Sequence, residues 1–315
     1  MAELDFEKPI FELEKKIQEL KHFISDKRID LSSEVRRLED KLEHLKKDTY
    51  THLSAWQRVQ LARHPQRPYS LDYISLIMSD FIELHGDRLF SNDKAIVCGL
   101  AKLDKQKIAV IGHQKGRDTK ENLKRNFGCA HPEGYRKALR VMRLAEEFNL
   151  PVVIFIDTPG AYPGIGAEER GQSQAIALNL REMSSLATPI ISIVIGEGGS
   201  GGALGVGVAD RICILENSYY SVISPEGCAA ILWKDGAKAP LAAEVLKLTG
   251  EDLLELKIID EIIPEPLGGA HRDPQRTASS LKDSITKNLK ELTSLSKEDL
   301  LKLRYSKFRS MGEVA

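Results

Sequence analysis

The sequence predicts an α/β protein built on a parallel sheet, preceded by a helical hairpin and followed by a helical tail. Two similar stretches predict the sheet: 150–157 and 188–195 each place a proline at the entrance of an apolar strand. Each strand then runs into a turn rich in glycine or proline and on into a helical pattern. Repeated strand-then-helix units build parallel sheets through right-handed crossovers, so we expect neighbouring parallel strands here.

Residues 1–63 are predicted to form an N-terminal helical hairpin region. Apolar residues recur every three or four positions in two stretches with a polar break at 25–33 between them: Ile10, Leu13, Ile17, Leu20 and Ile24, then Val35, Leu38, Leu42 and Leu45. Such narrow stripes are typical of helices that pack against another helix. Two interpretations stay open: the helices pair only with each other, or they also contact a partner subunit.

A central domain is predicted over residues 64–265. It begins at His64–Pro68, which is predicted to be a linker because two prolines interrupt helix formation there. Strands are predicted at 95–100, 108–112, 152–156, 190–195, 212–215 and 219–223. Helices are predicted at 132–148, 167–186, 225–233 and 240–248, with a short one from about residue 201. Residues 266–315 complete the chain as an exposed loop at 266–274 and a helical tail at 281–303.

The composition excludes several classes of protein. Lysine and arginine number 45 against 46 acidic residues, so the net charge of −1 gives no electrostatic reason to expect nucleic acid as a partner. Apolar runs stay well short of the ~20 residues of a membrane-spanning helix, and the acidic start does not resemble an export signal, so a cytoplasmic location without membrane contact is predicted. The cysteines are too far apart for a zinc site or a disulfide framework, and we expect reduced, mostly buried thiols: Cys98, Cys129, Cys213 and Cys228.

The glycine segment, residues 196–202, carries the strongest functional signal, because five of its seven positions are glycine. A backbone without β-carbons can lie against a ligand and direct its N–H groups at it. If a helix begins at the end of this segment, its unpaired N–H groups suit an oxyanion or a phosphate. The sequence therefore predicts an enzyme or a ligand-binding protein.

Three other interpretations of the glycine segment are weighed against this one. A dinucleotide fingerprint fits literally at Gly196, Gly198 and Gly201, with Glu216 at the distance of a ribose-binding carboxylate. However, the stretch 202–210 leaves room for only a short helix, and the preceding strand is not the first of its domain. A P-loop fits worse, because no Gly-Lys-Ser/Thr follows. Finally, the glycines could serve only a tight crossing between a strand and a helix.

The Asp157 loop, residues 157–164, follows the neighbouring predicted strand. Parallel strands deliver successive loops to the same sheet edge, so we expect this loop and the glycine segment to wall one pocket. Asp157 has two interpretations: a catalytic acid, or a cap for the N–H of Thr158 or Gly160. Farther along, Ser224 and Pro225 are predicted to cap and begin a helix.

Four motifs, in order and correctly spaced, resemble the alpha subunits of bacterial acetyl-coenzyme A carboxylase carboxyltransferases: 112–118, 157–164, 196–203 and 221–229. The resemblance covers the whole chain and implies the crotonase-like (ClpP/crotonase) fold, a superhelix of ββα repeats. It also implies a carboxyltransferase that is active only with a beta subunit bearing a zinc ribbon, in an α2β2 assembly, with no metal on this chain.

The same resemblance implies the reaction. A carboxyl group passes from carboxybiotin, borne on the biotin carboxyl carrier protein, to the methyl carbon of acetyl-CoA, giving malonyl-CoA for fatty-acid synthesis. A separate biotin carboxylase would charge the biotin as part of the larger complex. Negative charge develops on the thioester and on the biotin ureido oxygen, and the family assigns the second of these to the alpha subunit.

The resemblance carries over to particular residues of this sequence. The main-chain N–H groups of Gly201 and Gly202 are the implied donors to the biotin oxygen, with Gly198 and Gly199 as the alternative register. The implied biotin pocket comprises Gly160, Ala161, Tyr162, Pro163 and Gly164. Three cations are candidate CoA contacts, with a solvated loop as the alternative interpretation: Lys115, Arg117 and Lys124.

Two further functions remain open from the residues alone. The chain could be a non-catalytic scaffold for the beta subunit. It could also be an acyl-CoA hydratase or isomerase, which would need a glutamate pair such as Glu168 and Glu169, although no spacing argument singles these out.

Overall fold

The computed structural model describes residues 4–27 and 31–312. Within them, eight strands form one sheet: β1 (Ser79–Glu83), β2 (Ile96–Leu103), β3 (Gln106–His113), β4 (Val152–Thr158), β5 (Ile190–Gly199), β6 (Arg211–Leu215), β7 (Tyr219–Ser221) and β8 (Glu261–Ile263). The helices around it are α1 (Lys8–Lys27), α2 (Ser32–Thr51), α3 (Ala55–Ala62), α4 (Ser70–Ile77), α5 (Thr119–Lys124), α6 (Pro132–Glu147), α7 (Ile165–Glu169), α8 (Gln172–Ser185), α9 (Ser200–Leu204), α10 (Pro225–Trp233), α11 (Ala239–Val245), α12 (Gly250–Glu255), α13 (Pro274–Leu292) and α14 (Lys297–Ser310).

The sheet is parallel through its centre, as the sequence predicts. Its order is β1-β2-β3-β4-β5-β6-β8, with β7 pairing alongside the distal part of β5. The first two pairings are antiparallel, and those of β3, β4, β5, β6 and β8 with one another are parallel. Every residue of β4 and β5 is buried, which is typical of parallel strands covered on both faces.

Apolar side chains from the two sheet faces form two cores. On one face Ile154 and Val194 pack with Met142 of α6 and Met183 of α8. On the other face the core includes Phe155 and Ile193, together with side chains of α4 and α13. The sheet is therefore the middle of three layers, and its carboxyl edge lies between two rigid layers of helices.

The N-terminal hairpin forms as predicted, because α1 and α2 pack against each other. Ile10, Ile17 and Val35, which belong to the predicted apolar stripes, are buried. Among the residues that the structure describes, two ion pairs link the helices, Lys21 to Glu39 at 2.6 Å and Lys46 to Glu14 at 2.5 Å. Contact of the hairpin with a partner subunit stays a prediction. Residues 28–30 of the predicted polar break, and 1–3 of the acidic start, lie outside the described residues.

Two predicted helices are each divided. The stretch 167–186 is split between α7 and α8 at Gly171, whose φ of +80° belongs to the left-handed region that ends a helix. The tail is split between α13 and α14, where the Ser296 hydroxyl accepts the N–H of Asp299 at 3.1 Å and starts a new helix. Six observed elements have no counterpart in the sequence prediction: α3, α4, β1, α5, α12 and β8.

The prediction that the loop 266–274 is exposed is wrong over much of its length. Pro266, Ala270 and the glycines between Leu267 and Ala270 are buried. The cause is Glu265, which pairs with the fully buried Arg67 and accepts the N–H of Ala270 at 2.7 Å. Since Arg67 belongs to the predicted linker 64–68, that segment packs into the protein; the domain boundary at residue 64 stays a prediction.

Several local predictions are confirmed. The Ser224 hydroxyl accepts the N–H of Gly227 at 3.1 Å, with Pro225 at the first position of α10. The four cysteines are free, three of them buried and Cys129 half-buried. Burial raises the pKa of the Cys98 thiol to about 12, so it stays protonated and unreactive at neutral pH.

Arg304 anchors the last helix, α14, to the rest of the fold. Its side chain is 1% exposed and donates to Asp210 at 2.8 and 2.7 Å. It also donates to three carbonyl groups between α8 and β5, those of Met183, Leu186 and Thr188, at 2.7 to 2.9 Å. The buried charge is thus paired and its donors are satisfied, which burial of an arginine requires.

Candidate functional site

The glycine segment and the Asp157 loop lie side by side at the carboxyl edge of β4 and β5, as predicted. Thr158 is paired with Gly198 in the sheet. A β-carbon on Gly202 would lie 2.6 Å from the main-chain nitrogen of Ala161 and closer still to the carbonyl carbon of Gly160. The two turns are therefore in direct backbone contact, and only glycine fits at position 202.

The strand β5 does not end where the glycines begin. It continues to Gly199, so Gly196, Gly198 and Gly199 are strand residues. A β-carbon on Gly198 would lie 2.9 Å from the ring of Tyr220, and one on Gly199 would collide with the Pro159 carbonyl. Close packing explains these glycines. The turn itself begins only at Ser200.

Ser200 directs the chain from β5 into α9 through an unusual backbone conformation. Its φ is +50°, in the left-handed region, which costs a residue other than glycine about 1–3 kcal/mol. No side chain caps the N-terminus of α9, and the first N–H groups of a helix have no partner within it. The N–H groups of Gly201 and Gly202 belong to this uncapped turn, and a β-carbon on Gly201 would have only Ile176 near it, at 3.8 Å.

The Asp157 loop is held in place by its own hydrogen bonds. The Thr158 hydroxyl donates to the Gly160 carbonyl at 2.8 Å and accepts the Gly160 N–H at 3.1 Å. The N–H of Tyr162 donates to the Ala130 carbonyl at 3.0 Å, and its ring stacks on His131 with centroids 4.2 Å apart. These contacts make a fixed wall beside α9.

The remaining residues of the predicted biotin pocket follow the same wall. Ala161 and Gly164 are half-buried, and Pro163 is exposed. A β-carbon on Gly164 would run into the ring of Tyr162, so glycine is needed there for the ring to keep its place. All five predicted pocket residues therefore lie in one continuous loop that touches the glycine segment.

Asp157 has a partner set that differs from the predicted one. Its carboxylate is buried, and Oδ1 accepts the N–H of Glu197 at 3.0 Å and the Lys115 ammonium at 2.7 Å. Capping of Thr158 or Gly160 by Asp157 is wrong, because the Thr158 hydroxyl takes the Gly160 N–H instead. Asp157 thus links β4 to β5 and does not shape its own turn.

Glu197 is the main residue that the sequence analysis missed. Its Oε2 accepts from Lys115 at 2.7 Å, and its Oε1 accepts from Arg63 at 2.7 Å and from the Tyr219 hydroxyl at 2.8 Å. Arg63 also pairs with Glu226 at 2.5 Å. A lone carboxylate within an apolar strand was the signal that could have identified it, since a buried charge requires partners.

The charges of this cluster support one another. Burial alone would raise the pKa of Glu197, but the Lys115 and Arg63 cations outweigh burial and lower that pKa to about 2. Burial alone would lower the pKa of Lys115, but Asp157 and Glu197 outweigh it and raise that pKa above its ordinary range. Both groups are therefore charged throughout the neutral range.

The three candidate CoA cations are in different environments. Lys115 has a side chain only 13% exposed and belongs to the cluster just described. Arg117 donates to the carbonyl groups of Pro65 and Arg67 at 3.1 and 2.9 Å, and its guanidinium lies 4.0 Å from the centre of the Tyr69 ring. Lys124 is exposed in the last turn of α5. Their role toward CoA stays a prediction.

An apolar cavity of about 530 Å³ adjoins the glycine segment at Ser200 and Gly201. Its other walls are mostly apolar: Leu204, Gly207, Ile212, Tyr220, Ser221, Val222, Leu246, Lys247, Leu253, Leu256, Ile258, Phe308 and Met311. Exposed apolar side chains continue nearby on Val222 and on α10 and α11, with Ile231 at 71% exposure and Val245 at 59%. Exposed apolar surface of this extent is typical of a contact with another molecule.

Three glutamates bear on the rival interpretations. Glu168 and Glu169 are exposed on α7. Glu216 accepts the N–H of Glu265 at 3.0 Å, which occupies the carboxylate that a dinucleotide would need. No set of three histidine, cysteine, aspartate or glutamate residues within 4–27 and 31–312 is arranged to hold a metal ion.

The same described residues contain no helix that is both long and apolar enough to span a lipid bilayer.

Comparison with known proteins identifies the relatives of this chain. The family model described as acetyl co-enzyme A carboxylase carboxyltransferase-like matches residues 3–312. A Geobacter metallireducens protein named acetyl-coenzyme A carboxylase carboxyl transferase subunit alpha is 59% identical over 313 residues, which is 99% of this chain and 98% of that protein.

Two solved structures share the fold at low sequence identity. Transcarboxylase 12S, described as a hexamer that binds methylmalonyl-coenzyme A, superposes with a TM-score of 0.59 at 18% identity over 75% of this chain and 44% of that one. A Pseudomonas malonate decarboxylase hetero-tetramer in complex with coenzyme A gives a TM-score of 0.56 at 15% identity over 67% of this chain and 84% of that one. At these sequence identities, the two similarities support the fold only.

Proposed function

The chain belongs to the acetyl-coenzyme A carboxylase carboxyltransferase-like family, and from that premise we propose how its residues serve the reaction. The fold is crotonase-like, as the sequence resemblance implies. The chain acts as an alpha subunit of the carboxyltransferase, which carboxylates acetyl-CoA to malonyl-CoA. The assignment of roles to residues, to the carboxyl donor and to particular partners is our proposal.

The observation that carries the proposal is the uncapped turn at Ser200–Gly202. We assign the N–H groups of Gly201 and Gly202 to the biotin ureido oxygen, which gains negative charge as the carboxyl group leaves. Donors fixed before the reaction stabilise developing charge without reorganisation, and losing one such donor costs about 3–4 kcal/mol in other enzymes. The left-handed Ser200 supports this role, because backbone strain accumulates where a functional geometry must be held.

The Asp157 loop supplies the adjoining wall for biotin in this proposal. Gly160 and Ala161 touch Gly202, and the ring of Tyr162 is fixed by its stack on His131. A bicyclic ring carried in from another protein could lie against this wall with its ureido oxygen toward α9. Biotin is then a visiting substrate, and this chain holds no resident cofactor.

No side chain needs to act as a nucleophile or base in this scheme. The C–N bond of carboxybiotin breaks, a C–C bond forms to the acetyl methyl carbon, and the methyl proton passes to the ureido nitrogen. The chain's own part is to place donors and exclude water, which agrees with a site of glycines and closely packed backbone.

The partners we propose are a zinc-ribbon beta subunit in an α2β2 assembly, the biotin carboxyl carrier protein and, in the larger complex, biotin carboxylase. The alpha-subunit name of the Geobacter relative supports a second subunit. The exposed apolar residues of α10 and α11, with the cavity beside Ser200, offer the kind of surface that a protein partner covers. We place the complex in the cytoplasm.

A reconstitution experiment tests the proposed function. The chain is expressed alone and with a zinc-ribbon beta subunit, and labelled carboxyl is followed from the carboxylated carrier protein to acetyl-CoA. We expect transfer only by the pair, and its loss when Gly202 is replaced. Transfer that survives this replacement would favour the scaffold function, and hydration of an enoyl-CoA by the chain alone would favour the hydratase.

A further inference from the structure

One buried ammonium group joins three neighbouring strand ends beneath the candidate site. Lys115 lies two residues beyond the end of β3, Asp157 is the penultimate residue of β4, and Glu197 is in the distal part of β5. Lys115 Nζ donates at 2.7 Å to both Asp157 Oδ1 and Glu197 Oε2. All three side chains are nearly inaccessible, at 13%, 3% and 8% exposure.

The two carboxylates lie next to the residues that form the site. Asp157 immediately precedes Thr158, whose hydroxyl closes the turn at Gly160. Glu197 lies three residues before Ser200, the left-handed residue that starts α9. The distance between Asp157 and Glu197 therefore helps to set the distance between the Asp157 loop and the glycine segment.

A second observation points independently to the same contact. Asp157 Oδ1 also accepts the main-chain N–H of Glu197 at 3.0 Å. A β-carbon on Gly196 would lie 2.6 Å from that oxygen, so any other residue at 196 would displace the carboxylate. Position 196 is therefore glycine because the Asp157 carboxylate occupies the space that a side chain would need. A contact with substrate is not required to explain this glycine.

We propose that Lys115 is a positioning residue, which holds the Asp157 loop and the glycine segment in register through Asp157 and Glu197. The inference rests on the proposed function, since it assigns the purpose of that register to the donors at Gly201 and Gly202. It differs from the predicted CoA contact of Lys115, because an ammonium shared by two buried carboxylates is not free to bind a phosphate.

The rest of the cluster fits the same role. Glu197 is faced by Lys115 from the segment after β3, by Arg63 after α3, by Tyr219 of β7 and by Asp157 of β4. Arg63 is in turn paired with Glu226 of α10. Removing the Lys115 charge leaves Glu197 with one cation in place of two, which raises the pKa of that carboxyl group.

The test compares four variants with wild type, each reconstituted with the beta subunit. Lys115→Met removes the charge, Lys115→Arg keeps it, and Gly196→Ala displaces Asp157 while every charge remains. Lys282→Met is the matched control, since it removes a surface ion pair of 2.6 Å to Asp104 far along the chain. The measurements are kcat, KM for acetyl-CoA, the pH profile of kcat, and amide hydrogen exchange over 158–164 and 197–203.

We expect Lys115→Met and Gly196→Ala to lower kcat roughly 100-fold, the effect of a displacement of about 1 Å at a reacting centre. KM for acetyl-CoA stays near the wild-type value, and exchange quickens in both turns. In Lys115→Met the acid limb of the pH profile of kcat moves to higher pH, whereas in Lys115→Arg it stays at the wild-type pH. Lys282→Met leaves kcat, KM, the pH profile and amide exchange at their wild-type values.

Other results would overturn the inference. A raised KM for acetyl-CoA with normal kcat and normal exchange would make Lys115 a CoA contact. Lower thermal stability with normal kcat in the assembled fraction would make it a structural residue only. If Lys115→Met does not assemble, Gly196→Ala decides, and wild-type rate and exchange there refute the proposal. Label transfer by the wild-type pair tests the proposed function separately, and exchange reports on the register whether or not transfer is seen.

Discussion

Replacing Gly202 by alanine adds one methyl group at the contact between the two turns. The new β-carbon would begin 2.6 Å from the Ala161 nitrogen, whereas nonbonded heavy atoms rest about 3.5 Å apart or more. One of the turns must therefore move by about 1 Å. Because the nearest atoms belong to backbone and not to a flexible side chain, this movement carries the site with it.

The expected consequence is a loss of roughly 100-fold in kcat, comparable to the about 2.7–4 kcal/mol of a lost oxyanion donor. The assay follows labelled carboxyl from the carrier protein to acetyl-CoA in the reconstituted pair. Gly236→Ala is the control, because a β-carbon there meets open space and its rate should match wild type. Gly201→Ala should retain more activity than Gly202→Ala, since only Ile176 lies near its β-carbon.

The reasoning would be refuted if Gly202→Ala transferred carboxyl at the wild-type kcat. Assembly with the beta subunit, measured by sedimentation, must be normal for the comparison to hold. Loss of assembly with normal kcat in the remaining pair would equally refute it, because the site would then have absorbed the methyl group without moving.

Three further outcomes are expected. Thr158→Val removes both hydrogen bonds to Gly160, so it should lower stability by about 1 kcal/mol and lower kcat, measured by urea unfolding and label transfer. Arg304→Met leaves Asp210 buried without its cation and should destabilise the chain by about 3–5 kcal/mol in the same unfolding assay. Burial lowers the pKa of His113 to about 3 from an ordinary 6.5. Between these two pKa values the unfolded chain binds a proton at His113 and the folded chain does not. This histidine's contribution to the free energy of unfolding is therefore fully present above pH 6.5 and is lost as the pH falls toward 3. In His113→Phe that part of the acid dependence should vanish.

The sequence was sufficient for elements whose signals are local. The helix α6 was predicted within one residue of its observed end, because Pro132 marks its first position and an amphipathic pattern runs through it. The strands β4 and β6 were recognisable as short apolar runs. In the same way, the adjacency of the two turns followed from a general rule about parallel strands.

Features that depend on distant residues were not accessible in that way. Lys115 is 42 residues from Asp157 and 82 from Glu197, so no local pattern reports that one ammonium serves both carboxylates. The extension of β5 to Gly199 depends on β7, which pairs with its distal part. Glycine normally weakens a strand, and here the packing of Tyr220 and Pro159 reverses that preference.

The position of Arg304 in the sequence means that its partners are synthesised well before it. Chains emerge from the ribosome beginning with the N-terminus, so β4, β5 and α8 are available long before α14 is made. Until residue 304 arrives, Asp210 and the carbonyl groups of Met183 and Leu186 lack the donor that the finished protein gives them. A chain that ends before residue 304 would therefore keep the Asp210 carboxylate buried without its counter-charge, and we expect cellular proteases to degrade it faster than the chain that contains α14.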